Sequence, residues 1–187
     1  MGGVSHRSRR VGKTGRVLEI RPATTSDLAA VGRIHALSRN AAYAGLLPAE
    51  ALARVTPERQ EAVWRERLAD APAQSALLVA TDDGEVVGFT QGEGEYRDGV
   101  GHLNAIHLLP ERRGGGAGQA LHDALLEHFV AWGCTSAMLY VVRGNERAQS
   151  FYRRNGWTHD GTTSSHEVGG VVVPVLVYRR TVCATSC

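Results

Sequence analysis

The sequence predicts an α/β protein in which one mixed, mostly antiparallel sheet of seven strands carries helices on both faces. Three observations predict this fold. The chain of 187 residues is long enough for a single domain with a substantial core. Seven segments have the pattern of strands, as alternation or as short apolar runs, and five have the caps or the apolar spacing of helices. Glycine and proline signals join these segments both as hairpins and as strand–helix–strand units, which mixes antiparallel with parallel pairing.

The first third of the chain is predicted to form one strand and three helices. Val17 to Arg21 alternates as a strand and stops at Pro22. Thr25 or Ser26 can cap the first helix, and Thr56-Pro57 supplies a cap and a first-turn proline for the third. The expected helices begin near Asp27, run from Pro48 through Val55, and run from Glu58 to about Asp70.

The middle of the chain is predicted to form a hairpin and a third consecutive strand. The apolar run Ala76–Ala80 and a strand from Glu85 to about Glu95 flank Asp82-Asp83-Gly84, a typical hairpin turn. After a turn over residues 96–99, an apolar strand ends at Pro110, which cannot donate a ladder hydrogen bond.

A helix, a strand, a second helix and a final hairpin are predicted to complete the sheet. The first of these helices has one apolar face made of Leu121, Leu125, Phe129 and Trp132. The elements after it are a strand over 136–142, a helix from Glu146 to about Asn155 capped by Asn145 and ended by Gly156, and strands over 162–168 and 171–180 that flank Gly169-Gly170.

Charge and composition indicate where the folded domain lies and which partners it excludes. Residues 1–16 hold five basic residues and no acid, so they carry +5, and since the whole chain is +2 the remainder is −3. We expect residues 1–16 to form a basic disordered extension, residues 17–181 the folded domain, and residues 182–187 a frayed tail. A slightly acidic body argues against a nucleic-acid-binding surface.

The sequence also bears on membranes, metals and assembly. No apolar run approaches the ~18–20 residues that cross a bilayer, and the N-terminus lacks an apolar signal core, so we expect no membrane contact and a cytoplasmic location. Cys134, Cys183 and Cys187 have no metal-ligand spacing and predict neither a zinc site nor a disulfide framework. A homodimer is one assembly that the sequence allows.

The stretch from Leu103 to Leu121 joins a strand to a helix through a glycine loop. Four of the five residues 114–118 are glycine, so the backbone can adopt positive φ and pass close to a ligand. A loop of this kind at a helix N-terminus predicts an anion site suited to phosphate. Dinucleotide-binding domains have a similar loop, but they place an acid at the end of the next strand, where this chain has Arg143.

Two motifs in this order resemble the GNAT N-acetyltransferase superfamily. Arg113-Gly114-Gly115-Gly116-Ala117-Gly118 fits the family's R/Q-x-x-G-x-G/A signature, after a strand that closes in Leu-Pro-Glu. About 27 residues later, Asn145 begins a stretch similar to N-x-x-A-x-x-F/L-Y-x-x-x-G-F, with Trp157 in the usual phenylalanine position. The resemblance covers about residues 17–180 and implies the GNAT fold, in which the strand before the loop splays from its neighbour at the centre of the sheet.

The resemblance implies acetyl-CoA as co-substrate and no metal. The loop N–H groups would cradle its pyrophosphate, Arg113 would hold the loop or a phosphate, and Asn145 would contact the pantetheine or phosphate region. The pantetheine arm would pair with the exposed strand edge. The implied cofactor-binding residues are Ile106, Leu108, Leu109, Arg113, Gly114, Gly115, Gly116, Ala117, Gly118, Gln119, Asn145 and Tyr152.

The resemblance also implies the groups that act on the thioester. The backbone N–H of Leu108 would polarise the thioester carbonyl as an oxyanion donor. Tyr152 would give a proton to the CoA thiolate as it leaves, since a phenol has a reference pKa of roughly 10. No covalent acetyl-enzyme is expected, so the amine would attack directly in a ternary complex.

The general base is left open between His102, Glu93 and His107. Many relatives carry an acid where this chain has His102. Period-two alternation puts His102 and Asn104 on one face and His107 on the other, unless a bulge intervenes. An acceptor amine that is partly neutral would need no base.

The acceptor is expected to be a primary amine of a small molecule or peptide. Glu93, Glu95 and Asp98 would suit a cationic amine. The expected acceptor-binding residues are Tyr43, Leu46, Glu93, His102 and Asn104, with Leu47 and the Gly169-Gly170 hairpin shaping the pocket. The alternative function is a non-catalytic sensor of acyl-CoA, or a structural protein, with the same fold.

Overall fold

The computed structural model describes residues 17–97 and 99–182, with side chains throughout except at 95–97. The strands are Leu18–Pro22 (β1), Ser75–Asp82 (β2), Glu85–Arg97 (β3), Val100–Leu108 (β4), Ser136–Val142 (β5), Thr158–Val168 (β6) and Val171–Thr181 (β7). The helices are Leu28–Tyr43 (α1), Ala49–Ala53 (α2), Pro57–Ala69 (α3), Ala117–Ala131 (α4) and Glu146–Arg154 (α5). The expected basic extension, Asp98 and residues 183–187 lie outside the described residues.

The seven strands form one sheet in the order β1-β2-β3-β4-β5-β7-β6. Every neighbouring pair is antiparallel except β4 and β5, which are parallel. These two strands pair over three positions only, the last of which joins His102 to Met138. Beyond His102 they diverge, so the mixed sheet with a splayed central pair is confirmed.

Helices cover both faces of the sheet, as expected. On one face, α4 packs Leu121, Leu125 and Phe129 into a cluster that also contains Tyr152 and Trp157. On the other face, the main cluster joins α1 residues to Trp64 of α3 and Phe89 of β3. Within the described residues, no helix is both long and apolar enough to cross a membrane.

A glycine lets α3 approach α1 closely. A Cβ at Gly32 would lie 2.6 Å from the Pro57 carbonyl oxygen and from the Glu61 nitrogen, so a larger residue would push the helices apart. Thr56 caps α3 as expected, since its hydroxyl accepts from the Arg59 N–H at 3.3 Å. The close crossing seats the Trp64 side chain against α1.

The start of the domain differs from the expected cap. Residues 25–27 form a 3-10 turn before α1, and the capping residue is Thr24 rather than Thr25 or Ser26. Asp27 accepts from the Thr24 N–H at 2.8 Å and pairs with Arg21. At the other end of the domain, Val182 is buried and its N–H donates to the Thr135 carbonyl.

A β-bulge in β4 changes which side chains share a face. Gln91 pairs with Ala105 and Gly92 pairs with Leu103, so Asn104 is an extra residue with no partner across the ladder. The extra residue reverses the alternation, and His102 and His107 therefore lie on the same face of the sheet. Regular alternation would place them on opposite faces, and the bulge is the exception that the sequence analysis allowed for.

The β6–β7 hairpin packs onto α2. Gly169 and Gly170 have φ of 59° and 84°, the left-handed pair that a two-residue hairpin turn requires. A Cβ at Gly169 would collide with the Ala51 carbonyl, and Arg54 donates to the Gly169 carbonyl at 3.3 Å. The end of β6 also packs on α1, since Val168 and Ala36 belong to one buried cluster.

Candidate active site

Two cavities open where β4 and β5 diverge. The first, which we call the loop cavity, has a volume of about 640 Å³ and is lined by residues that include Arg113, Gly114, Gly116, Gly118, Arg147 and Arg154. The second, which we call the histidine cavity, has a volume of about 430 Å³ and is lined by residues that include His35, His102, His107, His166, Arg39 and Arg67. The two cavities meet, because seven of the described residues line both: Arg39, Tyr43, Ile106, His107, Asn145, Ala148 and Tyr152.

The glycine loop presents its backbone to the loop cavity. Gly114 and Gly116 have φ of 85° and 91°, which only glycine adopts without strain. The first hydrogen bond into α4 runs from the Ala120 N–H to the Gly116 carbonyl at 3.0 Å. The N–H groups of Ala117, Gly118 and Gln119 therefore have no helical acceptor, and they form the positive end of a 15-residue helix.

Three arginines surround this helix end. Arg113 lies on the loop, and Arg147 and Arg154 lie on α5. Burial, together with the charge of Arg147, lowers the pKa of Arg113. Arg113 reaches back to α1 and donates to the Ser38 carbonyl at 3.4 Å. Arg39 of α1 also lines this cavity, which thus combines backbone donors with four cations and suits a ligand that carries several phosphate charges.

The end of β4 turns one backbone N–H toward the splayed edge. The Leu109 N–H donates to the Val87 carbonyl of β3 at 3.0 Å. Because successive N–H groups of a strand point to opposite edges, the Leu108 N–H points away from β3, into the gap between β4 and β5. The Leu109 carbonyl accepts from Arg112, so both backbone groups of Leu109 have partners within the protein.

Tyr152 stands where the cavities meet. Its side chain is 6% exposed and packs against the rings of Phe151, Trp157 and Tyr178. Burial, with a smaller contribution from Tyr43, raises the pKa of its phenol above the usual value of 10. The phenol is therefore protonated at neutral pH. Asn145 caps α5 beside it by accepting from the Ala148 N–H at 3.2 Å, as expected.

One wall of the histidine cavity is a connected set of polar side chains. Trp64 donates its indole N–H to His35 Nδ1 at 3.0 Å. The His35 ring lies 4.5 Å from the His107 ring, and His107 Nδ1 is 3.2 Å from the Ser38 hydroxyl. Burial and the charges of Arg39 and Arg113 lower the pKa of His107 to about 3. Burial also lowers the pKa of His35, so both imidazoles are neutral at physiological pH.

His102 faces the same cavity from the base of the splay. Its side chain is 8% exposed and makes an edge contact with Tyr140, whose ring lies 4.6 Å from His166. Burial, with the charges of His166 and Arg67, lowers the pKa of His102 to about 4. His102 is thus a neutral imidazole at the inner end of the histidine cavity.

The remaining expected residues fall inside and outside the cavities. Asn104 lines the histidine cavity and donates to Glu93 at 3.2 Å. Glu93 also accepts from Gln91, and it is not among the described residues that line either cavity. Leu46 packs near Gly144 instead. Leu109, Gly115 and Ala117 were expected to bind the cofactor, and they are likewise not among the described residues that line the loop cavity.

Several cavity residues carry no signal in the sequence. The charged and imidazole side chains among those that the sequence did not identify are His35, Arg39, Arg67, Arg147, Arg154, His166 and Glu167. They lie on α1, α3, α5 and β6, and only the folded chain brings them to the β4–β5 gap. In residues 17–97 and 99–182, no three His, Cys, Asp or Glu side chains form a group that could hold a metal ion.

Known proteins resemble this chain in sequence and in fold. Residues 43–157 match the family model described as the acetyltransferase (GNAT) family. The chain is 32% identical over 135 residues to a mycothiol acetyltransferase of Streptomyces griseus, covering 60% of this chain and 42% of that one. It thus spans less than half the length of that relative. It is 36% identical over 108 residues to an uncharacterised N-acetyltransferase of Mycobacterium bovis, covering 54% of this chain and 68% of that one.

The fold itself is similar to a solved structure. The PaiA N-acetyltransferase of Thermoplasma acidophilum, crystallised in complex with coenzyme A, superposes with a TM-score of 0.70 at 20% identity. The alignment covers 88% of this chain and 98% of that one.

Proposed function

This chain belongs to the GNAT acetyltransferase family, and we propose that it transfers the acetyl group of acetyl-CoA to a primary amine by direct attack in a ternary complex. The observation that carries the proposal is the meeting of two cavities at Tyr152, in the gap between β4 and β5. One cavity suits a polyphosphate ligand, and the other is large enough for a small amine or a peptide N-terminus. A thioester threaded through the gap would lie between them.

The loop cavity would hold the cofactor. Its pyrophosphate would accept from the N–H groups at the start of α4, where the helix dipole favours negative charge. Arg113, Arg147 and Arg154 would neutralise the remaining phosphate charge. The pantetheine arm would pair with the free edge of β4, on the side toward which the Ile106 and Leu108 N–H groups point.

The Leu108 N–H would serve as the oxyanion donor. When the amine attacks the thioester carbonyl, negative charge develops on the carbonyl oxygen. A backbone N–H held by a strand is already oriented toward that charge and needs no reorganisation during the reaction. The bond from the Leu109 N–H to Val87 supports this role, because it fixes the direction of the preceding peptide group.

Tyr152 would act on the leaving group. Its raised pKa keeps the phenol protonated, so it can donate a hydrogen bond to the sulfur as the carbon–sulfur bond breaks. The thiolate then takes the phenol proton. The Tyr152 phenolate would then be reprotonated, through the base and water, by the proton that the attacking nitrogen loses as the amide forms. The overall exchange is balanced: an amine and a thioester become an amide and a thiol.

The proton from the attacking nitrogen would pass to a neutral imidazole. A free alkyl ammonium is too weak an acid for His102, whose pKa is about 4. The acceptor would therefore attack as the free amine. Once attached to the tetrahedral carbon, its nitrogen becomes far more acidic, and His102, six residues before Leu108 on β4, would accept the proton through intervening water. His107 is the second candidate, since it lines both cavities.

The experiment that tests the proposed function compares turnover with binding. Purified protein is mixed with acetyl-CoA and each member of an amine panel, and free thiol is followed while the amine is analysed by mass spectrometry. We expect thiol and N-acetylated amine to appear together. Calorimetric binding of acetyl-CoA without turnover on the whole panel would favour the sensor function instead.

A further inference from the structure

Three donor side chains form one stripe along α1 that faces the histidine cavity. His35, Arg39 and Tyr43 are four residues apart in sequence, so they lie one above the other on successive turns. All three line the cavity. Tyr43 is close enough to Tyr152 to raise its pKa, which places this end of the stripe nearest the proposed reaction centre.

The first of these donors has a fixed proton and no acceptor. An indole N–H can only donate, so the bond from Trp64 makes His35 Nδ1 the accepting nitrogen. The neutral ring of His35 must then carry its proton on Nε2. His35 is 7% exposed, and its Nε2 has no hydrogen-bond partner among the described residues. A buried donor in this position calls for an acceptor from outside the protein.

The second donor is a guanidinium with a free edge. Arg39 Nε is buried and has no hydrogen-bond partner in the described part of the chain. No ion pair within residues 17–97 and 99–182 involves Arg39. The positive charge of Arg39 contributes to lowering the pKa of His35, His107 and His166.

The residues that line the histidine cavity carry more positive than negative charge. Arg39 and Arg67 contribute two positive charges, and Glu167 is the one carboxylate among the described residues that line it. The imidazoles of His102 and His107 add no charge at neutral pH because burial lowers their pKa. A purely cationic amine would therefore enter a positively charged cavity, and it would leave His35 Nε2 and Arg39 Nε without an acceptor.

We propose that the acceptor amine also bears a carboxylate or other oxyacid group, which binds between His35 Nε2 and the Arg39 guanidinium. This inference rests on the proposed function and names its substrate class, an amino acid rather than a polyamine or aminoglycoside. It replaces the expectation of a cationic acceptor, which rested on Glu93, Glu95 and Asp98. Glu93 is occupied by Asn104 and Gln91 and lies away from the cavity lining.

The test uses acceptors that differ only in the acidic group. Free amino acids are compared with their own amides, and alanine with 1-aminoethylphosphonate, with rates expressed per unprotonated amine. We expect the acids to have a kcat/KM higher by roughly 10- to 100-fold, as a charge-assisted hydrogen bond provides. Equal or higher kcat/KM for the amides would overturn the inference and indicate a peptide N-terminus.

Matched arginine variants locate the anion. Arg39→Gln should reduce the preference for the acids to about threefold or less, with a smaller effect on the KM for acetyl-CoA, because Arg39 lines both cavities. Arg33→Gln, an exposed position on the same helix outside both cavities, should keep the full preference. An Arg39→Gln enzyme with a higher KM for acetyl-CoA and an intact preference would contradict the assignment and place Arg39 on the cofactor.

A binding measurement separates this inference from the proposed function. N-acetyl amino acids and their amides are titrated by calorimetry into protein saturated with coenzyme A. If no amine is acetylated, the proposed function fails, yet tighter binding of the carboxylates still supports the anion site. Equal binding of acid and amide would overturn the anion site whether or not turnover occurs.

Discussion

Trp64 donates its indole N–H to His35 Nδ1 at 3.0 Å, and this bond fixes which nitrogen of a cavity histidine carries the proton. The bond exists because Gly32 lets α3 approach α1 closely. A packing feature of two helices thereby sets the hydrogen-bonding character of the proposed acceptor site. The opposite face has a parallel case, in which Trp157 donates to His122 Nε2 at 3.0 Å.

Removing the Trp64 donor should destabilise the fold and alter acceptor binding. In Trp64→Phe, His35 Nδ1 loses its partner in a buried site, so we expect a loss of about 1–3 kcal/mol in the free energy of unfolding in urea. The ring is then free to change tautomer, and the KM for an amino acid acceptor should rise. Trp132→Phe is the control, since the Trp132 indole makes no hydrogen bond within the described residues. An equal change in acceptor KM in that variant would refute the link between the Trp64 bond and acceptor binding.

Acid should weaken the fold through its buried imidazoles. Folding lowers the pKa of His35, His102, His107 and His122, so each takes up a proton more readily when unfolded. Their contribution to stability is complete above about pH 6.5 and falls as pH drops toward the folded-state values, about 4 for His102 and about 3 for His107.

The slope of the free energy of unfolding against pH measures how many imidazoles stay neutral in the folded protein. Each one should contribute about 1.4 kcal/mol per pH unit well below pH 6.5. Urea unfolding at several pH values gives this slope directly, and His102→Gln should reduce it by the share of one group. A free energy of unfolding that is constant across the window would contradict the burial of these histidines as neutral rings.

The phenol of Tyr152 should matter for turnover and not for cofactor binding. Tyr152→Phe keeps the packing against Phe151 and Trp157 but removes the hydrogen bond to the leaving sulfur. We expect kcat to fall by roughly 100-fold or more while the KM for acetyl-CoA is nearly unchanged. Steady-state kinetics with one good acceptor measures both, and an unaltered kcat would exclude Tyr152 from the reaction.

Cofactor affinity should depend on Arg147 and on salt. Arg147 lines the loop cavity, whereas Arg153 on the same helix pairs with Glu146 at 3.5 Å. Arg147→Gln should raise the KM for acetyl-CoA about fivefold, the equivalent of roughly 1 kcal/mol at an exposed site, and the effect should shrink as salt increases. Arg153→Gln should show neither effect, and similar values for both variants would argue against the phosphate contact.

The pKa of the general base should not appear in the pH dependence of kcat/KM. Because the pKa of His102 is about 4, the rise of kcat/KM with pH should follow the pKa of the acceptor amine itself. His102→Gln is expected to lower kcat by about tenfold without moving that rise, and Glu93→Gln to have a small effect. Profiles with two acceptors of different amine pKa test this, since a rise common to both acceptors would reveal a titrating base on the protein.

The elements were predictable where local chemistry decides them. The turns at Asp83-Gly84 and Gly169-Gly170 require positive φ, and the structure has it at all four residues. The strand over 136–142 and the Asn145 cap are confirmed because an apolar run and a capping side chain act within a few residues. The glycine loop was identifiable for the same reason.

The cavity was less predictable because it depends on contacts between distant segments. A single extra residue, Asn104, brings His102 and His107 to one face, and alternation alone gives the opposite result. His35 and Arg39 look like ordinary members of a surface helix until Trp64 of α3 bonds to His35 and β6 brings His166 and Glu167 to the same cavity. The expected contact from Leu109 is taken up by Val87 and Arg112, a detail of strand pairing that sequence does not encode.

The central claim is acetyl transfer across the gap between β4 and β5. Its most direct test is the stoichiometry of free coenzyme A and N-acetylated product when the protein is given acetyl-CoA and a panel of free amino acids. We predict that the two products appear in equal amounts with at least one amino acid and that Tyr152→Phe slows both together. Tight binding of acetyl-CoA with no amine-dependent release of thiol on any member of the panel would contradict the account.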